Sequence, residues 1–116
     1  MSVLVLVIED DDDIRALLVH RLAAFGFDAG AAPNGQQGLR VAAEERPDVV
    51  VLDLGLPDME GWDVARRLPD VPLVVISASD EPAPPDVTIA GRMIKPFRSQ
   101  QVEELVQSVL DRATST

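Results

Sequence analysis

Four apolar stretches of this chain each hand over abruptly to side chains able to do chemistry. Val49-Val50-Val51-Leu52 ends at Asp53, Val3 to Ile8 ends at Glu9 and Asp10, Leu73 to Ile76 ends at Ser77, and the short Met93-Ile94 ends at Lys95. Carboxylates stay at a protein surface unless a partner or a task holds them inside. Two charges about 4 Å apart interact by ~1 kcal/mol in water and ~4 kcal/mol at an effective dielectric of 20, so several carboxylates in one cleft repel each other unless a cation sits among them. A few hard oxygen ligands suit Mg²⁺, which keeps several waters and shares its other positions with phosphate oxygens. With its charge neutralised, Asp53 has the character of a nucleophile towards phosphorus. Lys95 and the Ser77 hydroxyl are the groups able to meet the charge that builds on the equatorial oxygens.

Each residue taken singly has a plainer reading. Asp11, Asp12 and Asp13 serve to cap and charge a helix N-terminus, and Glu9 and Asp10 alone would be read the same way. A lone Asp after a strand is often a turn former, and Ser77 by itself would only bond its own loop. Lys95-Pro96 reads as a turn, with a bond of the type that accounts for nearly all cis peptides. His20 lies mid-helix as a solvated side chain. The chemical reading rests on joint placement, and that depends on the elements carrying these residues.

Val3–Ile8 is a continuous apolar run of strand length. After the Asp cluster, Ile14, Leu17, Leu18, Leu22 and Phe25 recur at helical spacing, and Gly26 stops the helix. An Ala-rich second strand spans Phe27 to Ala32. Asn34-Gly35 turns the chain into a helix over Gln36 to Glu45, ended by Arg46-Pro47. Strand three covers Asp48 to Leu54, and a loop with Pro57 leads into a helix over Gly61–Leu68 whose Trp62, Ala65 and Leu68 face the sheet. Leu73–Ile76 is strand four and Arg92–Ile94 strand five. Ser99 caps the last helix, which turns Val102, Leu105, Val106, Val109 and Leu110 inward and keeps Glu103 and Glu104 near its positive end.

Strands apolar throughout, alternating with helices, predict a parallel sheet covered on both faces. Right-handed crossovers favour a doubly wound, flavodoxin-like five-stranded sheet of order 2-1-3-4-5, with ligands held where the strands end. The beat fails once, because Pro82, Pro84 and Pro85 stand where a fourth crossover helix belongs. An interior proline costs a helix about 3 kcal/mol, so that helix is expected to be absent or rudimentary, with at most one turn near Val87–Ala90. With few apolar anchors, the stretch 78–91 is the expected mobile element.

Composition narrows the function classes. The 116 residues predict one domain, 1–116, with 47% hydrophobic residues and no cysteine, which excludes disulfides and thiolate chemistry. The apolar run at the N-terminus is too short for a signal sequence or a membrane span, so a cytoplasmic location with no membrane partner is expected. A formal net charge of −10 with ten scattered basic residues argues against direct contact with nucleic acid.

The segments VLVIEDDDDIR (from Val5 tightest), VVVLDLGLPDMEG around Asp53, VVISA ending at Ala78, and KPF at Lys95–Phe97 together resemble the receiver domain of two-component response regulators, over essentially the whole chain. The resemblance implies a signalling domain rather than an enzyme, one that assists its own phosphorylation and dephosphorylation. Asp53 would be the phosphoacceptor, taking its phosphoryl group from a phosphohistidine on a sensor histidine kinase or a histidine phosphotransfer protein. Asp10, Asp53 and the backbone carbonyl of Gly55 would bind Mg²⁺, with Glu9 acting mostly through a metal-bound water. Ser77 would turn towards the phosphoryl group and Lys95 would pair with it. Two departures stand out: Arg92 occupies the place where the family carries a switching aromatic, and the shortened 78–91 segment is similar to single-domain receivers that lack the fourth helix.

Three rivals are weighed against this reading. A haloacid-dehalogenase type phosphohydrolase needs a second Asp two residues after the first, and that place is Gly55. A flavodoxin-like cofactor carrier cradles phosphate at the first helix N-terminus, where Glu9 to Asp13 would repel it. A phosphorylation-independent pseudo-receiver, a pure interaction module, is the alternative that Arg92 and the missing helix keep open.

Overall fold

In a computed structural model, which describes residues 2–114, five strands form a single parallel sheet of order β2-β1-β3-β4-β5. The strands are β1 (Leu4–Ile8), β2 (Asp28–Ala32), β3 (Val49–Asp53), β4 (Leu73–Ser77) and β5 (Gly91–Ile94), and the helices are α1 (Asp12–Phe25), α2 (Gly35–Glu45), α3 (Gly61–Arg66) and α4 (Gln100–Thr114). This is the expected doubly wound sheet. Residues 1, 115 and 116 of the expected domain lie outside the described residues.

Alternation along the strands divides the interior in two. Val5, Val7, Val49, Val51, Val74 and Ile76 meet Leu18 and Leu22 of α1 and Val102, Val106 and Val109 of α4. Leu6, Ile8, Val50, Leu52 and Val75 meet Ala42 of α2 and Val64 and Ala65 of α3. Successive side chains of a strand point to opposite faces, so a run apolar throughout fills both layers at once. At ~25 cal/mol per Å² of apolar surface removed from water, this two-sided burial is the main force holding the strand ends in line.

Local chemistry sets the helix ends. The Asp11 carboxylate accepts from the N–H groups of Asp13 and Ile14, each at 2.9 Å, satisfying donors that the first turn leaves open. Gly26 closes α1 in the left-handed region at φ 112°, and Phe27 N–H returns to the Leu22 carbonyl at 3.1 Å. Asn34 caps α2 by accepting from Gln37 N–H at 2.8 Å. At the start of α4 the side-chain bond is made by Gln101, whose amide oxygen accepts from Arg98 N–H at 2.8 Å, rather than by the expected Ser99.

Several details differ from the sequence reading. Of the five apolar residues spaced along α1, Leu18 and Leu22 are fully buried and Ile14 partly, while Leu17 and Phe25 remain 45% and 50% exposed. Phe25 stacks on Phe27 at 5.5 Å between ring centroids instead of entering the core. In α3, Val64 takes the deepest position, Trp62 is only half-buried, and the helix ends at Arg66. Glu103 lies in the first turn of α4, as the sequence reading has it. It is buried against α1 and paired with the Arg21 guanidinium, whose Nε donates to it at 3.2 Å.

No helix lies between β4 and β5, as the prolines predict. The one turn there closes from Val87 N–H to the Pro84 carbonyl at 3.0 Å, with Pro85 in the position that favours a type I turn. The crossover is not uniformly free, however. Val87 and Ile89 pack into the layer under α3, Ala90 N–H bonds the Leu73 carbonyl at 2.8 Å, and Asp86 accepts from Arg66 Nε at 2.7 Å. The first part, 78–82, is exposed, and its bonds to the sheet run to the Ser79 carbonyl, from the Ser77 hydroxyl and Arg92 Nη1.

Candidate functional site

The register explains why the chemical residues meet. Ile8 pairs with Leu52, Asp53 with Ile76 and Ser77 with Ile94, so Glu9, Asp53, Ser77 and Lys95 leave the sheet at one edge within a step or two of each other. Backbone bonds fix these ends: Glu9 N–H to the Ala32 carbonyl at 3.1 Å, Leu54 N–H to Ile76 at 3.0 Å and Lys95 N–H to Ser77 at 2.8 Å. Lys95-Pro96 is a cis peptide.

Three acids gather there. One carboxylate oxygen from each of Glu9, Asp10 and Asp53 lies within 4.8 Å of the others, a spacing suited to a shared cation. Glu9 is fully buried, Asp53 is 4% exposed and Asp10 faces solvent. The Lys95 amine stands 3.3 Å from Glu9 Oε1 and 3.6 Å from Asp53 Oδ2. The first of these is an ion-pair distance without the alignment of a hydrogen bond, and Glu9 Oε1 has no hydrogen-bond partner among the described residues. Its companion Oε2 accepts from Asp11 N–H at 3.1 Å. Asp53 Oδ1 accepts from Gly55 N–H at 3.1 Å, which draws the chain after β3 around the carboxylate.

Charge balance in the cluster is incomplete. Burial, and then contact with Asp53, pushes the Glu9 carboxyl up to about 7. Burial opposes the charge on Lys95, but the Asp53 and Glu9 carboxylates outweigh it and hold the amine above its ordinary pKa. One cation against three carboxylates, with a buried carboxylate oxygen left unpartnered, is a donor set that fits a hard divalent ion.

The other expected residues are also present. Ser77 is buried and its hydroxyl donates to the Ser79 carbonyl, the local bond that its plainer reading foresees. Asp10, Asp53, Gly55, Ser77 and Lys95 line one cleft, together with Trp62 and Ser79. Arg15 is a residue that pattern reading passed over: its Nη1 donates to the Glu9 carbonyl at 3.0 Å, holding the end of β1 from one turn into α1. Asp58 is another, since its two oxygens accept from Gly35 and Gln36 N–H at 2.8 and 2.9 Å and tie the loop after Asp53 to α2. Asp58 follows a proline in a turn, which flagged a loop but not its partner. Gly61 permits the same loop to close, because a Cβ there would lie 2.4 Å from the Leu54 Cα.

The profile of the response regulator receiver domain matches residues 5–107. The chain belongs to that family. Among relatives of this receiver domain, "Probable transcriptional regulator ycf27" of Porphyridium aerugineum is 34% identical over 115 residues, covering 93% of this chain and 48% of the relative. The transcriptional regulatory protein PrrA of Mycobacterium tuberculosis is 36% identical over 120 residues, covering 97% of this chain and 52% of its own length. The receiver chain thus spans about half the length of these curated relatives. Among solved structures, the chemotaxis response regulator CheY4 of Vibrio cholerae superposes with a TM-score of 0.86 at 24% identity, covering 94% of this chain and 99% of that one. A receiver domain protein from Methanospirillum hungatei gives a TM-score of 0.90 at 19% identity, over 97% and 96% of the two chains. These two likenesses establish the fold. Among the described residues, no helix is long and apolar enough to cross a membrane.

Proposed function

We propose that this receiver domain accepts a phosphoryl group on Asp53 from a phosphohistidine of a sensor histidine kinase or histidine phosphotransfer protein, and that the change alters its binding to a protein partner. The observation carrying this reading is the buried Asp53 carboxylate, held 3.6 Å from the Lys95 amine and within 4.8 Å of two more acids at the mouth of a cleft. Its domain limits are proposed as 1–116, in a cytoplasmic setting and without direct nucleic-acid contact, the last because a net charge of −10 opposes phosphate binding.

Asp10, Asp53 and the Gly55 carbonyl would hold Mg²⁺, with Glu9 reaching it through water. The ion supplies charge neutralisation, at the donor oxygens and at the phosphoryl group. The residues of the chain do the rest. An Asp53 oxygen forms the new bond to phosphorus as the bond to the imidazole nitrogen breaks, and the imidazole leaves with that electron pair. Lys95 places its ammonium beside the oxygens on which charge collects, and the Ser77 hydroxyl turns from the Ser79 carbonyl to donate to one of them. Gly55 N–H keeps Asp53 oriented throughout.

The test is the intact mass of the protein after incubation with acetyl phosphate, with Mg²⁺ or with EDTA, for wild type and Asp53→Ala. The expected result is a single Mg²⁺-dependent phosphoryl adduct that is missing from the variant. No adduct from acetyl phosphate or from a phosphohistidine donor, despite measurable Mg²⁺ binding, would overturn the proposal in favour of a pure interaction module.

A further inference from the structure

Asp10 is the acid of the cluster with least to hold it. It lies in the turn between β1 and α1, its side chain faces solvent, and one of its oxygens is within 4.8 Å of two other carboxylates. Like charges about 4 Å apart repel by ~1 kcal/mol in water, so an unrestrained Asp10 would swing away until a cation arrived.

One guanidinium restrains the turn. Arg15 Nη1 donates to the Glu9 carbonyl at 3.0 Å and, more weakly, to the Asp10 carbonyl at 3.4 Å. Its Nη2 donates to Asp12 Oδ1 at 2.6 Å, which fixes the fork from the helix side. Each peptide unit is planar, so those two carbonyls mark the planes before and after the Asp10 Cα. The second plane is held at its other edge too, where Asp11 N–H donates to Glu9 Oε2 at 3.1 Å. Holding both planes sets φ and ψ of Asp10, and with them the direction in which its side chain leaves the backbone.

We propose that Arg15 is a positioning residue for the cation site: it clamps the turn so that the Asp10 carboxylate stays beside Glu9 and Asp53 before the ion binds. The inference rests on the reading of the cluster as a Mg²⁺ site. Without the clamp, Asp10 has to be brought back and ordered at the moment of binding, which lowers the affinity.

Arginine suits this task because its planar fork reaches several acceptors at once, whereas an ammonium is a compact charge on a flexible stem. The charge itself works against binding, since a cation close to a cation site repels the ion. The two contributions of Arg15 therefore have opposite signs, and substitution separates them.

The experiment titrates Mg²⁺ into wild type, Arg15→Lys and Arg15→Met, following the amide resonances of Asp11 and Gly55 by NMR, with a urea midpoint for each metal-free protein. The expected result is a Mg²⁺ dissociation constant on the order of tenfold higher in both variants, the scale of losing an outer-shell partner at a metal site. Arg15→Lys keeps the charge and loses the fork, so its weakening is not electrostatic. A bystander charge instead predicts tighter binding in Arg15→Met and no change in Arg15→Lys. A purely structural arginine predicts lower urea midpoints with unchanged dissociation constants. Either pattern overturns the proposal, and Arg15→Lys decides alone if Arg15→Met does not fold. A wild type whose resonances do not respond to Mg²⁺ overturns the metal-site reading beneath it, and this inference with it.

Discussion

Among the described residues, Lys95 is the one cation paired with the acids at the sheet edge, and it serves two of them, Glu9 and Asp53. Asp10 adds a third negative charge within 4.8 Å of both. Replacing Asp10 by Asn keeps the size of the side chain and removes that charge. Without divalent ions, Asp10→Asn is expected to raise stability by about 1 kcal/mol, the repulsion of two charges ~4 Å apart in a watery setting. In saturating Mg²⁺ the order reverses, because wild type gains binding free energy that the variant has lost. Urea denaturation with and without Mg²⁺ measures both, and an unchanged or lower midpoint for the metal-free variant would rule out repulsion as the cause. Asp53, Glu9, Ser77 and Lys95 were legible in the sequence because each follows an apolar run, and parallel strands put their ends on one edge. The Ser77 bond to Ser79 and the seat of Arg92 on Trp62 were not. They depend on the path of a proline-broken loop and on a contact between residues thirty positions apart.

At the scale of elements, the loop from β3 to α3 shapes the approach to Asp53, and Asp58 holds it. The Asp58 carboxylate accepts from Gly35 and Gln36 N–H at the N-terminus of α2, where the helix dipole also favours a negative charge. Bonds first from Gln36 N–H and then from Gly35 N–H hold its pKa below the ordinary 3.8. A carboxylate with a depressed folded pKa contributes stability that is present above the unfolded value. That contribution is lost as pH falls through the folded one. Asp58→Asn should therefore be less stable than wild type at neutral pH, and the difference should shrink as the pH falls below 3.8. Chemical denaturation of both proteins across that range provides the check, and a difference independent of pH would show that the carboxylate charge is not what matters. Sequence pattern located β1, β3 and β4 because their apolar runs are continuous. It placed the helix-free crossover but missed its anchoring, since Val87 and Ile89 are isolated apolar residues with no period to show that they reach the layer under α3.

For the molecule as a whole, the missing helix leaves a sheet wrapped fully on the α1–α4 side and only partly on the other, where α2 and the short α3 are joined by a stretch of irregular chain. That stretch is two parts with different stability. From 84 to 90 it is pinned by the Pro84–Val87 turn, by the Ala90 bond to β4 and by the Arg66–Asp86 pair, whereas 78–82 is exposed with few bonds to the rest of the fold. Local opening follows the number of buried contacts and protected backbone bonds, so the amides of Val87 and Ala90 should exchange with solvent far more slowly than those of Ser79 and Asp80. The Arg66–Asp86 pair is largely exposed, with side chains 39% and 60% accessible, so water screens it and its contribution is small. Asp86→Ala should accordingly speed exchange at Val87 modestly while leaving the amides of β1 and β3 unchanged. Uniform exchange across 78–90 in wild type would mean that the crossover opens as one unit.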